Sequence, residues 1–170
     1  MGDRPVFADD GTITPEKLKS NLLLGRMVSL PGGSVFSAPL ETSAQGKVAV
    51  PKTLCRFDPM TGVTFDVQSG KMQNFKAGQN GGCFVETMAP YEGPKDVFGS
   101  FSIGLNPALK VVEQGGQYWP GNAAGLVSLG FGGNEMMGGA NKTPGGYSFP
   151  IVNSTVTVDG KVIVKDGKLI

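Results

Sequence analysis

The sequence predicts an α+β, β-rich fold: a mixed or antiparallel sheet, partly barrel-like, with two or three short helices and a C-terminal β-meander. Three observations carry that expectation. Glycine supplies 27 of 170 residues with no collagen-like period, about twice its usual ~7% share, which points to many turns and close backbone approaches. Val, Ile and Phe recur in short runs bounded by turn residues. The ending "STVTVDGKVIVKDGKLI" places Asp159-Gly160 and Asp166-Gly167 between short apolar runs, where two-residue hairpin turns belong.

The elements follow in order. Residues 1–14 (MGDRPVFADDGTIT) are polar and broken by Pro and Gly, and read as a flexible arm ahead of a single domain over 15–170. Thr14 is placed to cap a short helix with Pro15 at its first position, Lys17 to Leu24 as its body and Gly25 as its stop. Strands are expected over Arg26 to Leu30 and Ser34 to Ala38 around Pro31-Gly32-Gly33. A long strand follows over Lys47 to Phe57, and then a hairpin of Val63 to Gln68 with Lys71 to Lys76 across Ser69-Gly70. Asn80 to Met88 reads as an irregular helix, Val97 to Leu105 as a strand, Pro107 to about Gln114 as a helix capped by Asn106, and Gly125 to Gly132 as a buried strand of small residues.

Composition narrows the function. A net charge of +1 leaves no basic footprint to displace phosphate counterions, so no nucleic-acid partner is expected. No apolar run reaches the ~20 residues that span a bilayer, and Met1 precedes Gly-Asp-Arg-Pro instead of a signal sequence's apolar stretch, so no membrane partner and a cytoplasmic location are expected. Cys55 and Cys83 lack CxxC partners and are expected as two reduced thiols, a disulfide between them being the alternative. The chain contains no histidine, the commonest catalytic base and metal ligand.

Five segments, in sequence order, resemble the C-terminal half of the aminopeptidase T family of two-metal aminopeptidases. They are "LPGGSVFSAP" (30–39), "FGSFSIGLNP" (98–107), "GLVSLGFGGN" (125–134), "GGANKT" (138–143) and "STVTVDGKVIVKDGK" (154–168). The resemblance covers roughly residues 26–170 and lacks the family's upstream α/β domain. Where it implies metal-binding glutamates, this chain has Ser34 and Ser100; where it implies a histidine, Ser128. Gly146 and Ser148 stand nearest a His-x-Asp pair. Neutral hydroxyls cannot replace the carboxylates and imidazoles that hold divalent ions and acidify bound water. No metal, no cofactor and no catalytic residue are therefore expected. The same absence argues against the chemistry of the family's iron-dependent ring-cleaving relatives.

What survives ligand loss is the capacity to hold an extended peptide, by strand pairing with side-chain pockets for selection. The resemblance extends to metal-free, peptide-binding proteins of crocagin-type ribosomal peptide biosynthesis. It implies a precursor peptide as partner, modifying enzymes of the same pathway as further partners, and a homodimer. Ser34, Phe36, Ser100, Ser128, Phe131, Asn141 and Tyr147 are the expected peptide-binding residues. Two rivals stand beside this reading. One is a metal-free enzyme, cyclase- or isomerase-like, using Glu135, Tyr147 or a lysine as acid or base; the other is a purely structural partner subunit. Met136-Met137 and Tyr118-Trp119 read either as an adaptable contact surface or as packing.

Overall fold

A computed structural model describes residues 3–114 and 117–170. Its strands are β1 (Val6–Asp9), β2 (Ser34–Ser37), β3 (Gly46–Cys55), β4 (Asp58–Gln68), β5 (Lys71–Lys76), β6 (Phe98–Gly104), β7 (Val112–Gln114), β8 (Gln117–Trp119), β9 (Val127–Gly132), β10 (Gly146–Ile151), β11 (Val156–Val158), β12 (Lys161–Lys165) and β13 (Lys168–Leu169). Two short α-helices, α1 (Pro15–Leu18) and α2 (Gly81–Met88), accompany them, with 3-10 turns at Leu23–Arg26 and Glu135–Met137. The main sheet is β1-β2-β6-β9-β10; β3-β4-β5, β7-β8 and β11-β12-β13 form smaller ones. Every named strand pair is antiparallel. The fold is thus mostly β with few helices, and among the described residues no sheet closes into a barrel. No helix among them is long and apolar enough to cross a membrane.

One face of the main sheet is greasy. Leu129, Phe131, Tyr147, Phe149 and Ile151 project from β9 and β10 onto Val50, Met60, Val63, Phe65 and Val67 of the three-stranded sheet, with Phe84 and Met88 of α2 closing the end. Phe149 is fully buried, with Phe65, Phe84, Phe131 and Tyr147 around it at ring separations of 4.6–6.1 Å. Farther along the same face, Ile103 and Val127 meet Val164 of the C-terminal meander.

That meander forms as the Asp-Gly pairs require, Asp159 and Asp166 taking φ 49° and Gly160 and Gly167 φ 78° and 73°, the two left-handed positions of a tight hairpin turn.

Other elements depart from expectation, each for a local reason. The arm is not wholly loose, since Val6–Asp9 pairs with β2 as an outer strand. The first helix, capped by the Thr14 hydroxyl on the Lys17 N–H (3.2 Å), stops at Leu18, because the Ser20 hydroxyl takes the Leu22 N–H (3.2 Å) and turns the chain. Residues 26–30 make no strand: the Ser29 N–H is donated to Asp9 Oδ2 at 2.8 Å instead of to a neighbouring ladder. The helix expected after Asn106 is a turn, with the Asn106 side chain accepting the Ala108 N–H (3.0 Å) and Val112–Gln114 pairing with β8.

The thiols require correction as well. Cys55, at the end of β3, and Cys83, on α2, form a disulfide, their Cα atoms 6.1 Å apart, within the roughly 4.4–6.8 Å that a bridge spans.

Candidate functional site

Strand alternation places hydroxyls on the main-sheet face opposite the core. In register, Phe36 opposes Ser102, which opposes Ser128, which opposes Pro150; one step along, Ser100 opposes Gly130, which opposes Ser148. On the other side of the first row, Asp9 opposes Ser34, which opposes Gly104. Ser34, Ser100, Ser102, Ser128 and Ser148 therefore share one face, since residues two apart on a strand point the same way. A bulge between Phe98 and Ser100 makes this possible: Phe98 turns inward to Phe131 (5.5 Å) while Ser100 turns out. Gly99 sits at the bulge, where a Cβ would meet the Gly132 carbonyl oxygen at 2.5 Å, and a Cβ on Gly130 would meet the Ser100 hydroxyl at 2.0 Å. The Ser100 hydroxyl therefore lies over the bare Gly130 backbone.

Above part of this floor opens a cleft of about 590 Å³, inside the roughly 300–1,000 Å³ range of small-ligand sites. Ser34, Phe36, Ser100 and Ser102 line it below, and Leu24, Met27, Leu30, Trp119 and Met137 wall it. Two polar clamps hold the walls. The Asn106 amide donates to the Gly32 carbonyl (2.6 Å) and that of Asn122 to the Pro31 carbonyl, fixing the loop before β2.

On the Met137 side, Glu41 Oε1 accepts the Ala140 N–H (2.7 Å) and the Asn134 amide (3.1 Å), while Oε2 pairs with Arg4 (2.8 Å), whose guanidinium also reaches the Gly138 carbonyl. Burial acts to raise the Glu41 carboxyl, but hydrogen bonds from the Ala140 and Glu41 N–H groups and from Asn134, with the charge of Arg4, outweigh it and hold the group below its ordinary value.

The expected residues divide. Ser34, Phe36 and Ser100 meet in the cleft. Ser128 lies on the same face beside Ser102, outside the cleft lining, and Ser148 lines an adjoining hollow of about 250 Å³ together with Ser100. Phe131 packs in the core, and it and Tyr147 also border the Ser148 hollow. Asn141 is buried and donates to the Gly132 carbonyl (3.0 Å), closing a loop. Tyr147 turns its ring into the aromatic cluster, and its hydroxyl contacts Thr53 Oγ1 at 3.0 Å and donates to the Leu54 carbonyl; burial raises it above the ordinary tyrosine value, against the Thr53 hydrogen bond. Sequence reasoning missed Asp9, Ser102, Met27 and Leu30. The alternation Ser100-x-Ser102 was the available signal for one of these. Among the described residues no three of His, Cys, Asp or Glu cluster to hold a metal ion.

No family model matches the chain, and no curated protein matches it. Among solved structures, 2,5-dihydroxypyridine dioxygenase from Pseudomonas putida KT2440 is similar in fold, with a TM-score of 0.76 at 20% identity, over 100% of this chain and 50% of its own. The chain thus spans half the length of that enzyme and shares its fold over that half.

Proposed function

We propose that this protein is a non-catalytic peptide holder, a relative of the aminopeptidase T C-terminal domain whose metal positions have become serine, binding a precursor peptide for modifying enzymes in ribosomal peptide biosynthesis. One observation supports this above the others. The serines at the positions where the resemblance implies ligands, far apart in sequence, come to a single sheet face beside an open cleft with apolar walls. Such a face offers hydrogen-bonding groups to a backbone; the one carboxylate among the described cleft-lining residues, Asp9, is already engaged by the Gly11 and Ser29 N–H groups, which leaves too little anionic charge to hold a metal and no free base to activate a hydroxyl. A homodimer belongs to the same reading.

The repurposed-enzyme reading has less to work with. Glu135 sits exposed, 4.0 Å from Lys142, and the Tyr147 hydroxyl is committed to β3 on the far side of the sheet. A cytoplasmic location goes with the proposal, and the Cys55–Cys83 bridge argues against it, because the cytosol keeps most thiols reduced.

The test is co-purification with candidate precursor peptides followed by calorimetry and mass spectrometry. Micromolar binding with the peptide mass unchanged is expected. A changed mass, or turnover abolished by a chelator, would replace the holder with an enzyme; absence of binding would leave a structural subunit.

A further inference from the structure

Resting on the peptide-holding reading, we infer that the cleft selects a stretch of chain with uncharged, apolar side chains and rejects carboxylates. The argument begins with charge. Asp9 is the one ionisable side chain among the described cleft-lining residues, and no lysine or arginine lines the cleft. Asp9 is 6% exposed, with Oδ1 accepting the Gly11 N–H at 3.1 Å and Oδ2 the Ser29 N–H at 2.8 Å. A ligand carboxylate would enter beside this anion with no cation to pair it, and unpaired charge in a partly desolvated site is costly.

The rim supplies the opposite preference. Leu30, Met27 and Trp119 are 83%, 53% and 47% exposed around one opening, a concentration of apolar surface that gains by being covered. The floor completes the match. Ser34, Ser100 and Ser102 present hydroxyls, each able to donate and accept, which suits the alternating N–H and C=O of an extended backbone and favours neither sign of charge. Backbone on the serines and apolar side chains against the rim is the arrangement that satisfies both.

The experiment is selection of a randomised decapeptide display library on the immobilised protein, with Leu30→Asp as counter-bait. Enriched peptides are then titrated in solution, read by the fluorescence of Trp119, the single tryptophan of the chain. Enrichment of uncharged apolar sequences is expected. Placing two aspartates at the centre of such a peptide should weaken binding ~10- to 100-fold. Leu30→Asp should weaken it similarly with Tm unchanged, as befits a residue so exposed. An unchanged Kd for the aspartate peptide overturns the inference while leaving the peptide reading intact. Enrichment of lysine-bearing peptides also overturns it and makes Asp9 the recognising group. Equal enrichment on the counter-bait overturns the inference, and no enrichment over a surface without protein removes the peptide reading itself.

Discussion

The Cys55–Cys83 bridge joins the end of β3 to α2, and breaking it has a calculable cost. In the chain-entropy account, cross-linking across a separation of 28 residues removes about 12 cal/mol/K from the unfolded chain, or roughly 3.6 kcal/mol at 25 °C. For a chain of 170 residues, an unfolding entropy of about 2.1 cal/mol/K per residue converts this to a fall in Tm of about 10 °C. The native state should survive the loss, because Phe84 of α2 remains stacked on Phe75 at 4.4 Å and lies 5.2 Å from Tyr147.

Scanning calorimetry with and without a phosphine reductant reads the shift, and the Cys55→Ala/Cys83→Ala variant separates the bridge from reductant effects. The variant should melt near the reduced protein and be indifferent to reductant. A shift below about 2 °C would show that the unfolded chain gains little freedom when the link is cut. Two reactive thiols in the native protein before reduction would refute the bridge outright.

Three further outcomes are expected. Glu41→Gln should destabilise by about 2 kcal/mol at neutral pH through loss of charged hydrogen bonds to Arg4, Asn134 and Ala140. Since folding lowers the Glu41 carboxyl, its contribution is present above the ordinary glutamate range and is lost as pH falls through the folded value, so wild-type and variant Tm curves should converge on acidification. Phe149→Ala, at the centre of the aromatic cluster, should cost about 3–5 kcal/mol in urea titration; a cost under about 1 would mean the core collapses around the gap. Ser100→Glu/Ser128→His/Ser148→Asp should create a zinc site measurable by calorimetry, because Ser128 stands two positions from Gly130, which Ser100 and Ser148 flank on either side. Diagonal neighbours at about 7–8 Å can converge long side chains on one ion, and no gain in zinc affinity would speak against this geometry as a former metal site.

The sequence was most legible where conformation is set by adjacent residues. Asp159-Gly160, Asp166-Gly167 and Ser69-Gly70 each turn the chain within two residues, and the hairpins they join lie where the turns place them. It was least legible where a side chain diverts the backbone. Asn106 looks like a helix cap in sequence, and its amide oxygen does take an N–H two residues on, but Val111 and Val112 have little helix preference and Val112 pairs with Trp119 instead. The Asp9 carboxylate, lying inside an apparently loose arm, claims the Ser29 N–H twenty residues away and so removes a strand. The disulfide belongs with these cases, since spacing alone cannot tell that β3 and α2 bring two sulfurs together.

The candidate site was legible in part, and strand parity sorts its residues between the two faces of the sheet. Ser34, Phe36, Ser100 and Ser128 were chosen at positions that fall on the outward set of their strands, so their convergence follows from pairing. For Phe131 and Tyr147 parity sends the side chain inward: Phe131 is three residues from Ser128, and Tyr147 is one from Ser148. The same parity makes Ser102 part of the floor, because it lies two residues from Ser100. Once Ser100 is taken as facing the cleft, Ser102 must face it too unless a second bulge intervenes, and none does between them. Chemical type therefore located the candidates, and the alternation of the strands sorted their side chains between the two faces of the sheet.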